Sequence, residues 1–178
     1  MSRHRSRVYG LTGASGVALL ALWALPHSAL ADEAPSPCAG LGTVLAVLAE
    51  DHSLHLCKDG KTQTKYTVVF GWKGLGKAKP GDKKTPLGVY PLGRPRPSTG
   101  GKFHTFIPIR VPKSMGSAVG IHGPHRALRW LGPLGRMADV TNGCIAVAYD
   151  DEIIAIADFV KRERVQAIHI LPPKPKAP

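Results

Sequence analysis

The chain has 178 residues, with 24 Lys or Arg against 12 Asp or Glu, and a formal net charge of +12. This length suits one domain with its own hydrophobic core. The charge favours an anionic partner. Nucleic acid is not expected, because the chain carries no recognisable nucleic-acid-binding motif. An anionic cell envelope fits the charge better.

The N-terminus has the features of a secretory signal peptide. Three arginines lie within the first seven residues, residues 11–25 form an apolar core, and residues 29–31 form an A-x-A cleavage site. The apolar run is short for a membrane span. We therefore expect residues 1–31 to be removed, which leaves no stable membrane span and places the mature chain in the periplasm or cell envelope. An uncleaved anchor is the alternative.

The first half of the mature chain is predicted to be β structure. A polar, proline-bearing leader at residues 32–42 precedes it. Asp59 and Gly60 form a strong hairpin signal. Apolar or alternating runs predict three strands, at residues 43–48, 53–57 and 65–70.

Loops and further strands follow. Residues 71–84, with four glycines and five lysines, predict a mobile basic loop. A strand is expected at residues 89–90, and a Pro/Gly/Ser loop at 94–102 leads to a strand at 103–111. Residues 123–140 are irregular, and we expect a loop with a helical turn that lies over Cys144.

The hydrophobic period changes after residue 150. Asp150 is a suitable N-cap for a helix, with acidic residues in the first turn. The apolar face is predicted to consist of Ile153, Ile154, Ala157 and Val160, and the basic end of Lys161, Arg162 and Arg164. A last strand at residues 165–171 precedes a tail at 172–178 that is predicted to be disordered. Local patterns thus predict a mostly β, largely antiparallel fold with one main helix.

The mature chain has three cysteines, an odd number in a compartment where disulfides persist. Cys38 precedes the first predicted strand and Cys57 ends the second, so the two are expected to be neighbours. We predict a disulfide between them, which leaves Cys144 free. The alternative for Cys144 is a small buried hydrophobic residue.

Cys144 ends the turn Thr141-Asn142-Gly143-Cys144, and we predict that it is a nucleophile. A catalytic thiol needs a base, backbone N–H donors for the oxyanion and a chain that passes close to the substrate. Gly143 permits the close approach, and the amides of Gly143 and Cys144 are candidate oxyanion donors. His122, 22 residues upstream and directly before Gly123, is the candidate base.

These residues resemble the L,D-transpeptidase catalytic domain (YkuD-like) family. The family pattern of His-Gly, a spacer and Ser/Thr-x-Gly-Cys before an apolar residue is matched by His122, Gly123, Thr141, Gly143, Cys144 and Ile145. Residues 81–90, Gly-Asp-Lys-Lys-Thr-Pro-Leu-Gly-Val-Tyr, resemble a second family segment. The resemblance covers residues 43–171 and implies the family's β-rich catalytic fold.

The resemblance implies a function. His122, oriented through the backbone carbonyl of Gly123, would deprotonate Cys144, which would form a thioester with a peptidoglycan stem peptide and transfer it to an amine. An envelope protein is a further candidate acceptor or substrate, and no metal or organic cofactor is expected. Four residues are expected to contact the substrate: Thr141, Asn142, His125 and His104.

Two other functions stay open. Asn142 and Ala146 depart from the family pattern, and the Gly-Cys-x-Ala form is similar to the branch that detaches proteins from peptidoglycan. An L,D-carboxypeptidase or amidase-type hydrolase is therefore one alternative. A noncatalytic, basic cell-wall-binding module is the other.

Overall fold

The computed structural model describes residues 36–116, 118–136 and 138–173. The predicted signal peptide and the end of the predicted tail lie outside these ranges. Within them the chain forms two β-sheets and one α-helix, which confirms the predicted mostly β fold with one main helix. No described helix has the length and apolar character needed to cross a bilayer.

The elements follow in chain order. The strands are β1 Val44–Leu48, β2 Ser53–Lys58, β3 Lys61–Thr67, β4 Gly88–Pro91, β5 Arg96–Pro97, β6 Thr105–Pro108, β7 Gly120–His122, β8 Ile145–Ala146 and β9 Ala167–Leu171, and the helix is α1 Asp150–Arg162. Short 3-10 segments lie at Thr99–Gly101, Lys113–Met115 and Arg126–Arg136. One sheet has the order β3-β2-β1-β9-β4 and the other β5-β6-β7-β8.

Two strand pairs are parallel, β1 with β9 and β7 with β8, and the remaining pairs are antiparallel. Parallel neighbours require a crossover connection. Between β7 and β8 this crossover is residues 123–144. It begins directly after His122 and ends at Cys144. The connection therefore brings the chain back alongside β7, the strand that carries His122.

The β2–β3 hairpin is confirmed at the predicted position. Asp59 and Gly60 both have positive φ, 51° and 76°, which matches the twist of a two-residue hairpin turn. The third strand begins and ends earlier than predicted, because residues 68–70 leave the sheet. Val69 instead pairs with Ala146 of β8, and this bridge ties the segment after β3 to the strand that follows Cys144.

Cys38 and Cys57 form a disulfide with a Cα–Cα distance of 5.4 Å, and Cys144 is free. Both bonded cysteines are fully buried, and they pack with Ala46 in a small cluster beside β1 and β2. The disulfide therefore fastens the segment before β1 to the end of β2.

Replacing Cys38 and Cys57 together by serine is expected to lower the free energy of unfolding by about 3 kcal/mol, the chain-entropy effect of a loop of this length. The two residues are 19 positions apart. Urea unfolding of the protein measures the change. Cys144→Ser is the control and should unfold at the wild-type midpoint. An unchanged midpoint in the double variant would contradict the prediction.

Helix α1 begins differently from the prediction. Tyr149 is the N-cap and Asp150 is the first helical residue. The Glu152 carboxylate accepts the N–H groups of Ala148 and Tyr149 at 3.0 and 3.1 Å, which caps the helix from its third position. Ile154 is 37% exposed and was wrongly assigned to the buried face. That face consists of Ile153, Ile156, Ala157, Phe159 and Val160.

The main hydrophobic core receives side chains from both sheets and from α1. Its largest fully buried members include Phe70, Leu45, Ile107, Ile121, Ile145, Ile156 and Ile168. The start of α1 packs against the end of β7, where a Cβ on Gly123 would lie 2.9 Å from Ile153 Cγ2. A glycine is therefore needed directly after His122 for the helix to approach.

Candidate active site

The strand register brings His122 and Cys144 to the same face of the second sheet. Ile121 lies opposite Ile145, and His122 lies opposite Ala146. Continued backwards, this register puts Gly120 opposite Cys144. Because side chains alternate along strands, His122 and Cys144 project to one side at diagonal positions on neighbouring strands. Sequence analysis predicts this pair from motifs, and the fold brings the two strands together.

His122 is held in one orientation by its neighbours. The residue is 7% exposed, and Nδ1 lies 2.7 Å from the carbonyl oxygen of Gly123. The ring stacks on Phe103 with a centroid separation of 3.8 Å and an interplanar angle of 19°. A neutral imidazole that donates through Nδ1 keeps Nε2 as the acceptor. Nε2 is therefore the atom available to take a proton.

The thiol and the imidazole are both neutral at rest. Burial lowers the pKa of His122 to about 4, although the Gly123 hydrogen bond opposes this shift. Burial raises the pKa of Cys144 above its ordinary 9.0, against the lowering effects of the Gly120 backbone and the Lys77 charge. A resting thiolate–imidazolium pair is therefore disfavoured, and the proton is expected to move during the attack.

The alkylation rate of Cys144 is expected to rise steadily with pH and to have no plateau below about pH 8, because the thiolate fraction follows a raised thiol pKa. Iodoacetamide labelling between about pH 5 and 10, followed by intact mass, measures the profile. The other two cysteines are paired. Unfolded, unreduced protein is the control and should titrate at the lower pKa of an ordinary thiol. A rate that levels off near pH 6 would indicate a resting ion pair and contradict the prediction.

Two threonine hydroxyls hold the backbone of the cysteine turn. Thr141 Oγ1 donates to the Cys144 carbonyl at 2.7 Å and accepts the Gly143 N–H at 3.1 Å. Thr85 Oγ1 donates to the same carbonyl at 3.3 Å and accepts the Gly71 N–H at 2.9 Å. The Thr85 segment, which the sequence singles out, thus positions the cysteine through its backbone.

The oxyanion donor follows from these bonds. The Gly143 N–H is engaged by Thr141, whereas the Cys144 N–H has no hydrogen-bond partner among the described residues. Gly143 itself has φ 114°, and a Cβ there would lie 2.6 Å from the carbonyl oxygen of Lys84. In this conformation Gly143 shapes the turn, and the Cys144 amide is the candidate oxyanion donor.

The Cys144 thiol donates to the carbonyl of Ala118 at 3.5 Å. The hydrogen bonds of the described residues include none between the Cys144 sulfur and His122. Catalytic hydrogen bonds often tighten only when substrate is bound, so we expect the cysteine side chain to rotate toward Nε2 for proton transfer.

The predicted substrate contacts lie in different environments. Asn142 is exposed at the turn, whereas Thr141 is buried and its hydroxyl is used inside the turn. His125 is exposed and meets the ring of Phe103 edge-on at 5.9 Å. His104 is exposed, bonds Thr105 at 2.9 Å and lies just before β6 rather than on it. No group of three His, Cys, Asp or Glu side chains in the described residues could hold a metal ion.

Sequence analysis missed a buried ion pair next to the cysteine turn. Within residues 71–84, predicted as a basic loop, Lys77 is 7% exposed and bonds Asp82 at 2.8 Å. The available signal was that Asp82 is the one acidic residue among five lysines. Phe103, which stacks on His122, was also missed because it was assigned to a strand without a role.

The fold and this pair of residues define a class of β-rich domains in which a cysteine and a histidine meet on neighbouring parallel strands, the combination that activates a thiol for nucleophilic attack. Residues 42–170 match the family model of the L,D-transpeptidase catalytic domain, YkuD. The chain therefore belongs to this family, as its motifs predict. No curated protein matches the sequence.

Solved structures show the same fold. The helical cell shape determining protein Pgp2 from Campylobacter jejuni matches with a TM-score of 0.57 and 21% identity over 74% of this chain and 48% of that one. A lysine-to-alanine variant of Pgp2 matches with a TM-score of 0.58 and 21% identity over 80% and 52%. This chain thus spans about half the length of Pgp2. The catalytic domain of an Enterococcus faecium L,D-transpeptidase matches at 17% identity and a TM-score of 0.46, over 72% and 96%.

Proposed function

We propose that this protein is an exported cysteine acyltransferase, an L,D-transpeptidase that acts on peptidoglycan stem peptides. One observation carries the proposal: a free thiol on Cys144 lies on the same sheet face as a neutral His122 whose Nε2 is kept as an acceptor. Family membership supports peptidoglycan as the substrate. Since Pgp2 determines helical cell shape, a role in wall remodelling is part of the proposal.

The acylation half-reaction begins when the Cys144 thiol rotates toward His122 and gives its proton to Nε2. The sulfur then attacks the carbonyl between a diamino acid and the terminal D-residue of a tetrapeptide stem. The Cys144 amide stabilises the oxyanion. As the C–N bond breaks, His122 returns the proton to the departing amine, D-alanine leaves, and a thioester remains on Cys144.

The second half-reaction transfers the acyl group. With its pKa near 4, His122 is neutral again after acylation and can accept a proton from the incoming amine. The amine nitrogen attacks the thioester, the C–S bond breaks, and the proton passes to the sulfur. Water in place of the amine would make the enzyme a hydrolase.

Product analysis tests the proposal. Mature protein is incubated with purified disaccharide-tetrapeptide, and the products are separated by liquid chromatography and identified by mass. Released D-alanine with new dimers is the expected result. D-alanine or peptide without dimers would shift the assignment to hydrolysis. Unchanged substrate, with binding to insoluble peptidoglycan retained, would contradict catalysis and favour the wall-binding module. Cys144→Ala serves as the blank.

A further inference from the structure

A buried ion pair lies directly behind the cysteine turn. The side chains of Lys77 and Asp82 are 4% and 9% exposed, and Lys77 Nζ lies 2.8 Å from Asp82 Oδ1. Lys77 Nζ also donates to the carbonyl of Lys79 at 3.2 Å. The same nitrogen lies 3.7 Å from the position that a Cβ of Gly143 would occupy. The ammonium is therefore a close neighbour of Cys144.

Asp82 holds this charge in place through the loop backbone. Its carboxylate accepts the N–H groups of Ala78, Lys79 and Lys84 at 2.8, 3.1 and 3.2 Å. Its hydrogen bond to Lys77 keeps the pKa of Asp82 well below the usual range. The carboxylate is therefore ionised at any working pH, and the ammonium that it binds has a fixed position.

Loop closure alone does not explain the lysine. Three backbone amides already bind Asp82, and they do not require a lysine at position 77. An ammonium group has three N–H donors. Among the described residues, the Lys77 ammonium donates to two acceptors, the Lys79 carbonyl and the Asp82 carboxylate. Because a buried charge carries a large desolvation cost, its place beside the cysteine turn points to a use for the charge.

We propose that Lys77, held by Asp82, is a positioning residue that stabilises the negative charge formed on Cys144 Sγ as the proton moves to His122. This inference rests on the proposed acyl-transfer function and deepens it. His122 is neutral before the transfer and offers the sulfur no positive charge. The Lys77 ammonium, which Asp82 holds beside the turn, offers one, so a preorganised cation compensates for the burial that disfavours the thiolate.

The test is the pH profile of Cys144 alkylation by iodoacetamide, which does not depend on turnover. Lys77→Met is expected to move the profile up by about one pH unit, equivalent to roughly tenfold slower labelling at a fixed pH. Lys77→Arg keeps the charge and should restore most of the rate. Lys79→Met removes an exposed charge from the same loop and should leave the profile unchanged.

The charged or titratable side chains that the described residues place around this part of the site include Lys77, Asp82, His122, His125 and Asp150, and Asp150 is paired with Arg129 at 2.7 Å. Melting curves show whether each variant is folded. If Lys77→Met does not fold, Asp82→Asn replaces it. This variant keeps the Lys77 ammonium but removes the carboxylate that holds it in place, so a smaller upward shift of the alkylation profile is expected. A folded variant with the wild-type profile would overturn the inference. If Lys77→Met shifts the alkylation profile but the wild-type protein does not turn over the tetrapeptide stem, the proposed function is overturned and the role of Lys77 stands.

A separate feature is a basic cleft at the other end of α1, away from the end that packs beside His122. The cleft has a volume of about 700 Å³, and its charged lining residues are all basic: Arg94, Arg110, Lys161 and Arg164. Lys161 pairs with Asp158 at 3.6 Å. The three arginines are exposed and have no ion-pair partner among the described residues. Three chain segments thus bring like charges together: the loop after β4, the residues after β6 and the end of α1.

The backbone at Arg164 adds a second observation. The Val165 N–H bonds the Val160 carbonyl at 3.0 Å, and the Arg164 N–H bonds the Lys161 carbonyl at 3.4 Å. This is the Schellman pattern, and the residue at the position of Arg164 is usually glycine because φ is positive there. Arg164 has φ 53°. An arginine at a glycine position is conformationally unfavourable, which indicates that its side chain has a use.

We infer that this cleft binds a phosphate-bearing polyanion, since guanidinium groups match phosphate oxygens in pairs. Long-chain inorganic polyphosphate and phosphatidylglycerol vesicles, titrated separately at physiological salt, distinguish a soluble polymer from a lipid surface; binding to either supports the inference. Arg110→Glu and Arg164→Gly should each weaken binding roughly tenfold. Arg164→Gly should also melt at or above the wild-type temperature.

Lys61→Glu, an exposed residue on β3, is the matched control for net charge and should bind as the wild type does. Absence of binding to both probes would overturn the inference. An equal loss of affinity in Lys61→Glu would also overturn it, because that result would mean that the total charge and not the cleft attracts the polyanion.

Discussion

Cys144→Ala is expected to abolish turnover of the tetrapeptide stem, by at least about 10⁴-fold, because the nucleophile is lost. The fold should be unaffected. Thr85 and Thr141 hold the turn through the carbonyl of Cys144 and not through its side chain, and alanine keeps that carbonyl. Release of D-alanine, followed by mass spectrometry, measures the loss.

Binding of the variant to insoluble peptidoglycan and its melting temperature are the controls, and both should match the wild type. Cys144→Ser retains the shape of the side chain but is a much weaker nucleophile, so it should behave like the alanine variant. Turnover above about one per cent of the wild-type rate in folded Cys144→Ala would show that another residue carries the reaction.

His122→Gln is expected to lower kcat by about 10²- to 10⁴-fold, the usual contribution of a positioned general base. Glutamine can still donate to the carbonyl of Gly123, which His122 Nδ1 approaches at 2.7 Å, but its amide cannot accept and return a proton. Steady-state kinetics with the tetrapeptide stem should show a much smaller change in KM, because His122 is placed to act on the proton and not on the ground state.

Phe103→Leu is the matched control for this histidine. It removes the stacked ring at 3.8 Å and leaves the Gly123 bond in place, so its kcat should fall far less than that of His122→Gln. A kcat for folded His122→Gln within about tenfold of wild type would contradict the role of general base.

Short-range patterns predicted those parts of the fold that local chemistry decides. The Asp59-Gly60 turn follows from the φ values that the two residues tolerate. By contrast, β7 and β8 have three and two residues, too few for a hydrophobic period, and they exist because they pair with each other and with β6 and Val69. The start of α1 was misplaced by one residue, since the Glu152 side chain caps the helix from within.

The candidate site divides in the same way. Cys144 and His122 stand out in the sequence because each lies beside glycine in a motif. Asp82 is the one acidic residue among five lysines in its loop and so signals an ion pair, but the burial of Lys77 does not follow from it, because lysines in a glycine-rich loop are ordinarily solvated. Only the folded loop brings Asp82 within 2.8 Å of the ammonium. The choice between the Gly143 and Cys144 amides likewise depended on where the Thr141 hydroxyl points.

Intact mass of the mature protein after brief incubation with tetrapeptide stem tests the central claim most directly. We expect a covalent adduct whose mass equals that of the stem without its terminal D-alanine, mapped by digestion to Cys144 and removed by hydroxylamine, as expected for a thioester. Cys144→Ala should carry no adduct. An adduct of the same mass on Cys144→Ala, or released D-alanine with no adduct on the wild-type protein even when the reaction is quenched in acid at short times, would contradict a thioester on Cys144.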